Sequence, residues 1–98
     1  VELAYVDRPH LAKRLRVWRF RDGQLEPVAD AEGLTNHRIG WDFIAGGLRR
    51  CGGATEIITA NSDWTRIVAA RLTSGRIARR DLGPYTGPDS LDAATNCP

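Results

Sequence analysis

At 98 residues the chain has room for one small domain or for part of a larger one. Apolar residues at 42% and charged residues at 27% exclude a disordered tail, a collagen-like chain and a coiled coil, and no stretch approaches the roughly 20 apolar residues of a membrane span. The formal net charge of +2 is carried almost wholly by arginine, with Lys13 the single lysine, and acidic residues nearly balance it, so no basic face for nucleic acid stands out.

Short runs of Leu, Ile, Val, Trp and Phe alternate with Gly, Asp, Asn and Pro, and no segment keeps a helical apolar spacing for three turns. The pattern predicts strands over residues 2–6, 15–20, 24–29, 41–45, 56–60, 66–72 and 76–81, an all-β antiparallel protein. Asp22-Gly23 and Ser74-Gly75 fall between strands where a two-residue hairpin needs positive φ. In the second strand Leu15 and Val17 point one way while Trp18 and Phe20 point the other, which predicts a strand buried on both faces. After residue 82 the chain reads as turns, with Asp89 or Ser90 placed to cap a short helical turn.

An internal correspondence organises these strands. With Gly23 set on Gly75, Arg14 aligns with Arg66, Leu15 with Ile67, Val17 with Ala69, Arg19 with Arg71, Phe20 with Leu72 and Leu25 with Ile77. A two-residue gap upstream sets Glu2-Leu3-Ala4-Tyr5-Val6 on Glu56-Ile57-Ile58-Thr59-Ala60 and Asp7 on Asn61. The period of about 52 to 54 residues is long for one four-stranded blade of a β-propeller, and it divides the chain into blade-like units at 1–40 and 41–82 and a tail at 83–98. A small β-sandwich is the competing arrangement. Two blades do not close a ring, so the remainder is expected from further sequence, another chain or copies of this one. The absence of Met and a start inside an apparent strand fit a piece of a longer precursor, and the arginine bias fits a GC-rich bacterial genome.

The stretch Ile39-Gly40-Trp41-Asp42-Phe43-Ile44-Ala45-Gly46-Gly47, followed by Gly52-Gly53-Ala54-Thr55-Glu56-Ile57-Ile58-Thr59-Ala60, resembles an FG-GAP or VCBS repeat. That resemblance implies a propeller blade in an extracellular or periplasmic module that binds protein or glycan. The family's loop often carries several Asp or Asn ligands for calcium; here residues 46–55 contain no carboxylate and two arginines, so neither calcium nor another cofactor is expected.

Nothing in the sequence assembles catalysis. His10 and His37 sit in no nucleophile or metal-ligand pattern, and Gly46-Gly47 and Gly52-Gly53 lack the lysine and helix of a phosphate loop. Asp42 and Glu56 read as acceptors for arginine and backbone N–H groups rather than as an acid–base pair. The candidate binding residues come from two aligned loops, Asp7, Arg8 and His10 in the first and Asn61, Asp63 and Trp64 in the second, with packing of Trp64 against its own sheet as the competing role. Cys51 and Cys97 either bridge, closing a long loop, or stand as separate thiols. The functional expectation is a non-catalytic scaffold or binding module with a protein partner or further blades. Its alternatives are a small Arg/Trp-rich β domain for nucleic acid and a non-catalytic part of a larger propeller enzyme. No membrane insertion is expected.

Overall fold

The structure, a computed structural model, describes residues 2–7, 13–38 and 41–97. Three two-residue turns set its strands: Asp22-Gly23 (φ 53° and 78°), Gly52-Gly53 (63° and 84°) and Ser74-Gly75 (51° and 77°). Both central residues are left-handed in each, the backbone that matches the twist of the strands it joins. They connect β2 (Arg14–Arg21) to β3 (Gln24–Glu32), β5 (Gly47–Cys51) to β6 (Ala54–Asn61), and β7 (Arg66–Thr73) to β8 (Arg76–Pro84). The remaining elements are β1 (Glu2–Asp7), the two-residue β4 (Leu34–Thr35) and α1 (Pro88–Ala94).

The protein is all-β, and every strand pair is antiparallel. Strands β1-β2-β3 form one sheet, and β4-β6-β7-β8 form a second in which β5 also pairs with β6. The pairing sets Val6 opposite Leu15 in the first sheet and Ala60 opposite Ile67 in the second, and those positions are the ones the sequence alignment equates. An arginine at the start of the middle strand reaches an aspartate on the last strand in both: Arg14 to Asp30 at 3.1 Å and Arg66 to Asp81 at 2.8 Å.

The sheets pack face to face through Leu15, Ala31, Leu34, Val68 and Ala70, with Val6, Ile57 and Ile77 at the margin. The opposite face of the second sheet carries Ile58, Ala60, Ile67 and Ala69, covered by Ala45 of the 41–46 segment and by Leu91 of α1. Two apolar layers therefore sandwich β7, whose residues 67–70 are all buried. Such a strand gives up the apolar–polar alternation and reads as a continuous apolar run.

Two-sided burial belongs to β7 and not to β2, where the sequence predicts it. Leu15 and Val17 are buried, but Phe20 on the other face is exposed, because among the described residues no layer covers that side of the first sheet. A second correction concerns 41–45, which is a bent loop and not a strand; its backbone is held by Ala45 N–H donating to the Asn36 carbonyl at 3.0 Å. A third concerns 46–55, which is a hairpin, β5–turn–β6, and not a loop. In the tail, α1 has no side-chain cap: Gly87 is the N-cap, and the Ser90 hydroxyl donates back to the Gly87 carbonyl at 2.5 Å.

Gly46 fixes how closely the 41–46 segment approaches β6. Its φ is +84°, and a Cβ there would run into the Ile58 carbonyl group, which is backbone and has no rotamer to yield. Its N–H also donates to Asp92 Oδ1 at 3.2 Å, which ties the segment to α1. Gly46→Ala should therefore cost on the order of 3 kcal/mol, combining left-handed strain with displacement of a core strand. Urea denaturation checks this; a midpoint within error of the parent would show that the segment can lift off β6 freely.

Candidate interaction surface

The loop that joins β6 to β7 is a self-contained polar turn. Asn61 Oδ1 accepts from the backbone N–H groups of Thr65 and Arg66, both at 2.9 Å, and Asp63 Oδ1 accepts from the Thr65 hydroxyl at 2.7 Å. Asn61 and Asp63 thus shape the loop before anything else. Trp64 sits in this turn at φ +61°, a backbone that a bulky side chain rarely adopts. Its ring packs at the margin of the α1-side core and meets Trp41 edge-on at 5.3 Å and Tyr85 at 5.1 Å. Packing of these rings offsets the backbone cost.

Trp41 in turn stacks on Phe43 at 4.7 Å, and the Arg38 guanidinium lies 5.4 Å from the Trp64 ring centroid, within cation–π range. His37 Nε2 is 2.8 Å from the Trp41 carbonyl, so this histidine organises the loop. The sequence could not reveal this aromatic group, because its members come from the 36–46 loop, the β6–β7 turn and the segment after β8, at separations with no periodic meaning.

Asp7, at the end of β1, accepts from Arg16 Nε at 2.8 Å, and that partner holds the Arg16 guanidinium charged above its usual range. Arg8 and His10 lie outside the described residues. Lys13, at the start of β2, donates its ammonium to the Ser62 carbonyl of the second candidate loop at 2.7 Å. Of the described candidates, Trp64 alone joins an aromatic surface. Cys51 and Cys97 are bridged, which ties the residues after α1 to the end of β5.

Arginine is spent on acidic neighbours. Arg14 reaches Glu32 at 2.8 Å as well as Asp30, and Arg66 engages Asp81 through two nitrogens. Glu56 accepts from both Arg49 and Arg80, at 2.7 and 3.1 Å. Hydrogen bonds from Arg66 and from the Gly83 N–H hold the Asp81 carboxyl below the usual aspartate range. Among the described residues no group of three or more His, Cys, Asp or Glu side chains is placed to hold a metal ion, and no helix is long and apolar enough to cross a membrane.

A second apolar surface lies on the outer face of the first sheet. Pairing puts Leu3, Trp18 and Pro27 in one row across β1, β2 and β3, with Phe20 opposite Leu25 in the next. Leu3, Phe20 and Leu25 are 52%, 53% and 54% exposed, and Tyr5 joins them. Apolar residues scattered singly on a surface need no explanation, whereas these, with Trp18, fall on adjoining positions of one sheet face. The Trp18/Phe20 alternation carries this signal in the sequence, where it predicts a strand covered on both faces by neighbouring sheets. Beside this face, a groove of about 740 Å³ lies between β1 and the second sheet, lined by Ala4, Val17, Ile57 and Leu72 together with Arg50 and Arg71.

Against known proteins, no family model, no curated protein and no solved structure matches this chain.

Proposed function

We propose that the chain is a non-catalytic scaffold or binding module of the β-propeller type, which works by stacking its first sheet against an apolar sheet of a partner protein or of further blades. The observation that carries this reading is how the two sheets use their faces. The first sheet packs with its Leu15/Val17 face on the Val68/Ala70 face of the second. By the sequence alignment Trp18 and Phe20 correspond to Ala70 and Leu72, so the uncovered face of the first sheet is of the same kind as the one the second sheet buries. The contact is head to tail, and head-to-tail contacts propagate until something stops them. At the other end α1 and the 41–46 segment cap the stack; at this end Leu3, Tyr5, Trp18, Phe20 and Leu25 await a layer. The consecutive β5–β6–β7–β8 meander, four antiparallel strands, has the strand count of one blade.

The ion-paired arginines favour a protein partner over nucleic acid, since their charge is already answered. The disulfide supports a periplasmic or extracellular setting, where such bonds persist. Light scattering after size exclusion of the natively purified protein tests the reading. The expected mass exceeds the 10.8 kDa of one chain, and replacing Phe20 by Glu, on the exposed face, is expected to dissociate the assembly without unfolding it. A folded monomer from the parent sequence would overturn the stacking module and leave a self-contained β domain.

A further inference from the structure

The outer edge of β1 is the second surface left open, and its character differs from that of the other edge of its sheet. Sheet edges offer unpaired N–H and C=O groups, and proteins commonly protect them with proline, bulges or charge. On the far edge, β3 has such devices: Pro27 lies in the strand, and the register with β2 shifts between Val17 and Trp18. By contrast β1 reads Glu-Leu-Ala-Tyr-Val-Asp, with no proline or lysine, and pairs with β2 over six consecutive residues without a shift. Its charges, Glu2 and Asp7, stand at the two ends, and the four residues between them leave about 13 Å of edge with neither proline nor charge.

The second sheet shows what such an edge receives. There β6 aligns with β1, and its outer edge is taken by β5, with Leu48 opposite Ile57 and Gly47 opposite Ile58. Ile57 and Ile58 align with Leu3 and Ala4. Among the described residues nothing but β2 pairs with β1. Leu3 and Ala4 of β1 line the groove of about 740 Å³, whose lining mixes apolar Val17, Leu48 and Ile57 with Arg50 and Arg71. A strand laid on β1 would send alternate side chains into that groove and the others onto the outer face beside Leu3 and Tyr5.

We propose that the β1 edge is a strand-acceptor site, at which an extended segment of a partner polypeptide pairs antiparallel with β1 and gives the first sheet the fourth strand that β5 gives the second. This rests on the stacking-module reading and adds how the partner is held: main-chain hydrogen bonds supply affinity, and Leu3 selects an apolar side chain at the position opposite it. The segment fits the pattern of β5, short, extended, with a small residue opposite Ala4 and an apolar one opposite Leu3.

The probe is a fluorescein-labelled peptide of the 46–51 sequence with serine in place of cysteine, titrated into the oxidised full chain. Saturable binding is expected, weakened about tenfold or more both by N-methylation of alternate peptide bonds and by Leu3→Lys, a gatekeeper charge at an exposed position. Amide hydrogen exchange of β1 should slow in the complex. Absence of saturation up to about 1 mM, equal binding by the N-methylated peptide, or protection that spares β1 would each overturn the proposal. The stacking face and the strand edge meet at Leu3 but are read separately, the face by native mass and the edge by N-methylation and β1 exchange, so failure of the peptide beside a heavy native assembly removes the acceptor site alone, whereas a monomeric parent removes the stacking reading.

Discussion

Reduction of the Cys51–Cys97 disulfide is expected to lower stability by about 4 kcal/mol, the loop-closure entropy of a cross-link over 46 residues. That is a large part of the 5–15 kcal/mol typical of a domain. The loss should also be uneven, because the bridge anchors the end of a layer. Helix α1 contributes Leu91 as its only buried residue and covers Ile58, Ala60, Ile67 and Ala69. At seven residues it is too short to persist unaided. Its other ties are the Gly46–Asp92 hydrogen bond and Arg49 Nη1 donating to the Ala94 carbonyl at 3.3 Å. Without the disulfide these must bear the cost of ordering the tail, and α1 should open before the sheets do. Urea denaturation with and without reductant measures the total, and hydrogen exchange locates it. The Cys51→Ser/Cys97→Ser variant, insensitive to reductant, should match the reduced protein. Equal midpoints for oxidised and reduced protein would mean that the helical layer holds by packing alone.

The sequence disclosed those parts of the fold that local chemistry decides. Asp22-Gly23 and Ser74-Gly75 announced their hairpins because few residue pairs accept two successive left-handed conformations. Gly52-Gly53 carried the same signal between β5 and β6, but two arginines and the lack of β-branched residues made 47–51 resemble a loop. Arg49 enters the protein only because Glu56 lies opposite it on the neighbouring strand, a pairing that propensity does not register. Residues 41–45 failed in the reverse sense: Trp-Asp-Phe-Ile-Ala satisfies a strand-like alternation, yet Trp41 and Phe43 stack on each other and Ala45 alone is buried, an outcome set by Trp64 and by the close approach at Gly46. The candidate site was legible to the same degree. Of the two aligned loops the described residues include Asp7 and the turn at 61–65, in which Asn61 and Asp63 are occupied in shaping the backbone. The apolar face of the first sheet was visible as an alternation in β2, while its lack of a cover depends on which layers the chain supplies and is not written in any local pattern.

Removing the charge of Glu56 should cost about 3 kcal/mol, for a reason distinct from the strength of its ion pair. Arg49 and Glu56 are 7% and 8% exposed, and their side chains face α1 across the β5–β6 ladder. Arg49 donates to Glu56 Oε1 through Nε at 3.2 Å and Nη2 at 2.7 Å. In Glu56→Gln the volume stays and the guanidinium is left buried without a counter-charge, the situation that makes breaking such a pair expensive. Arg80, at 3.1 Å from Glu56 but largely in solvent, can hydrate instead. Replacing both partners, as in Arg49→Met/Glu56→Leu, should recover most of the loss, since neither desolvated charge remains; the part not recovered is the lost hydrogen bond from Arg49 to the Ala94 carbonyl. The pH dependence follows with a definite sign. Hydrogen bonding by Arg49 holds the Glu56 carboxyl below its ordinary value of 4.5, against the opposing effect of burial and with further help from Arg80. A carboxyl lowered in the folded state contributes its stability above the unfolded value and loses it as pH falls through the folded one. Unfolding midpoints should therefore hold steady above about pH 5 and decline below it. The decline should be shallower in the Arg49→Met/Glu56→Leu protein, where only exposed carboxylates such as Asp81 still titrate in that direction. An equal decline in both proteins would locate the acid sensitivity away from this pair.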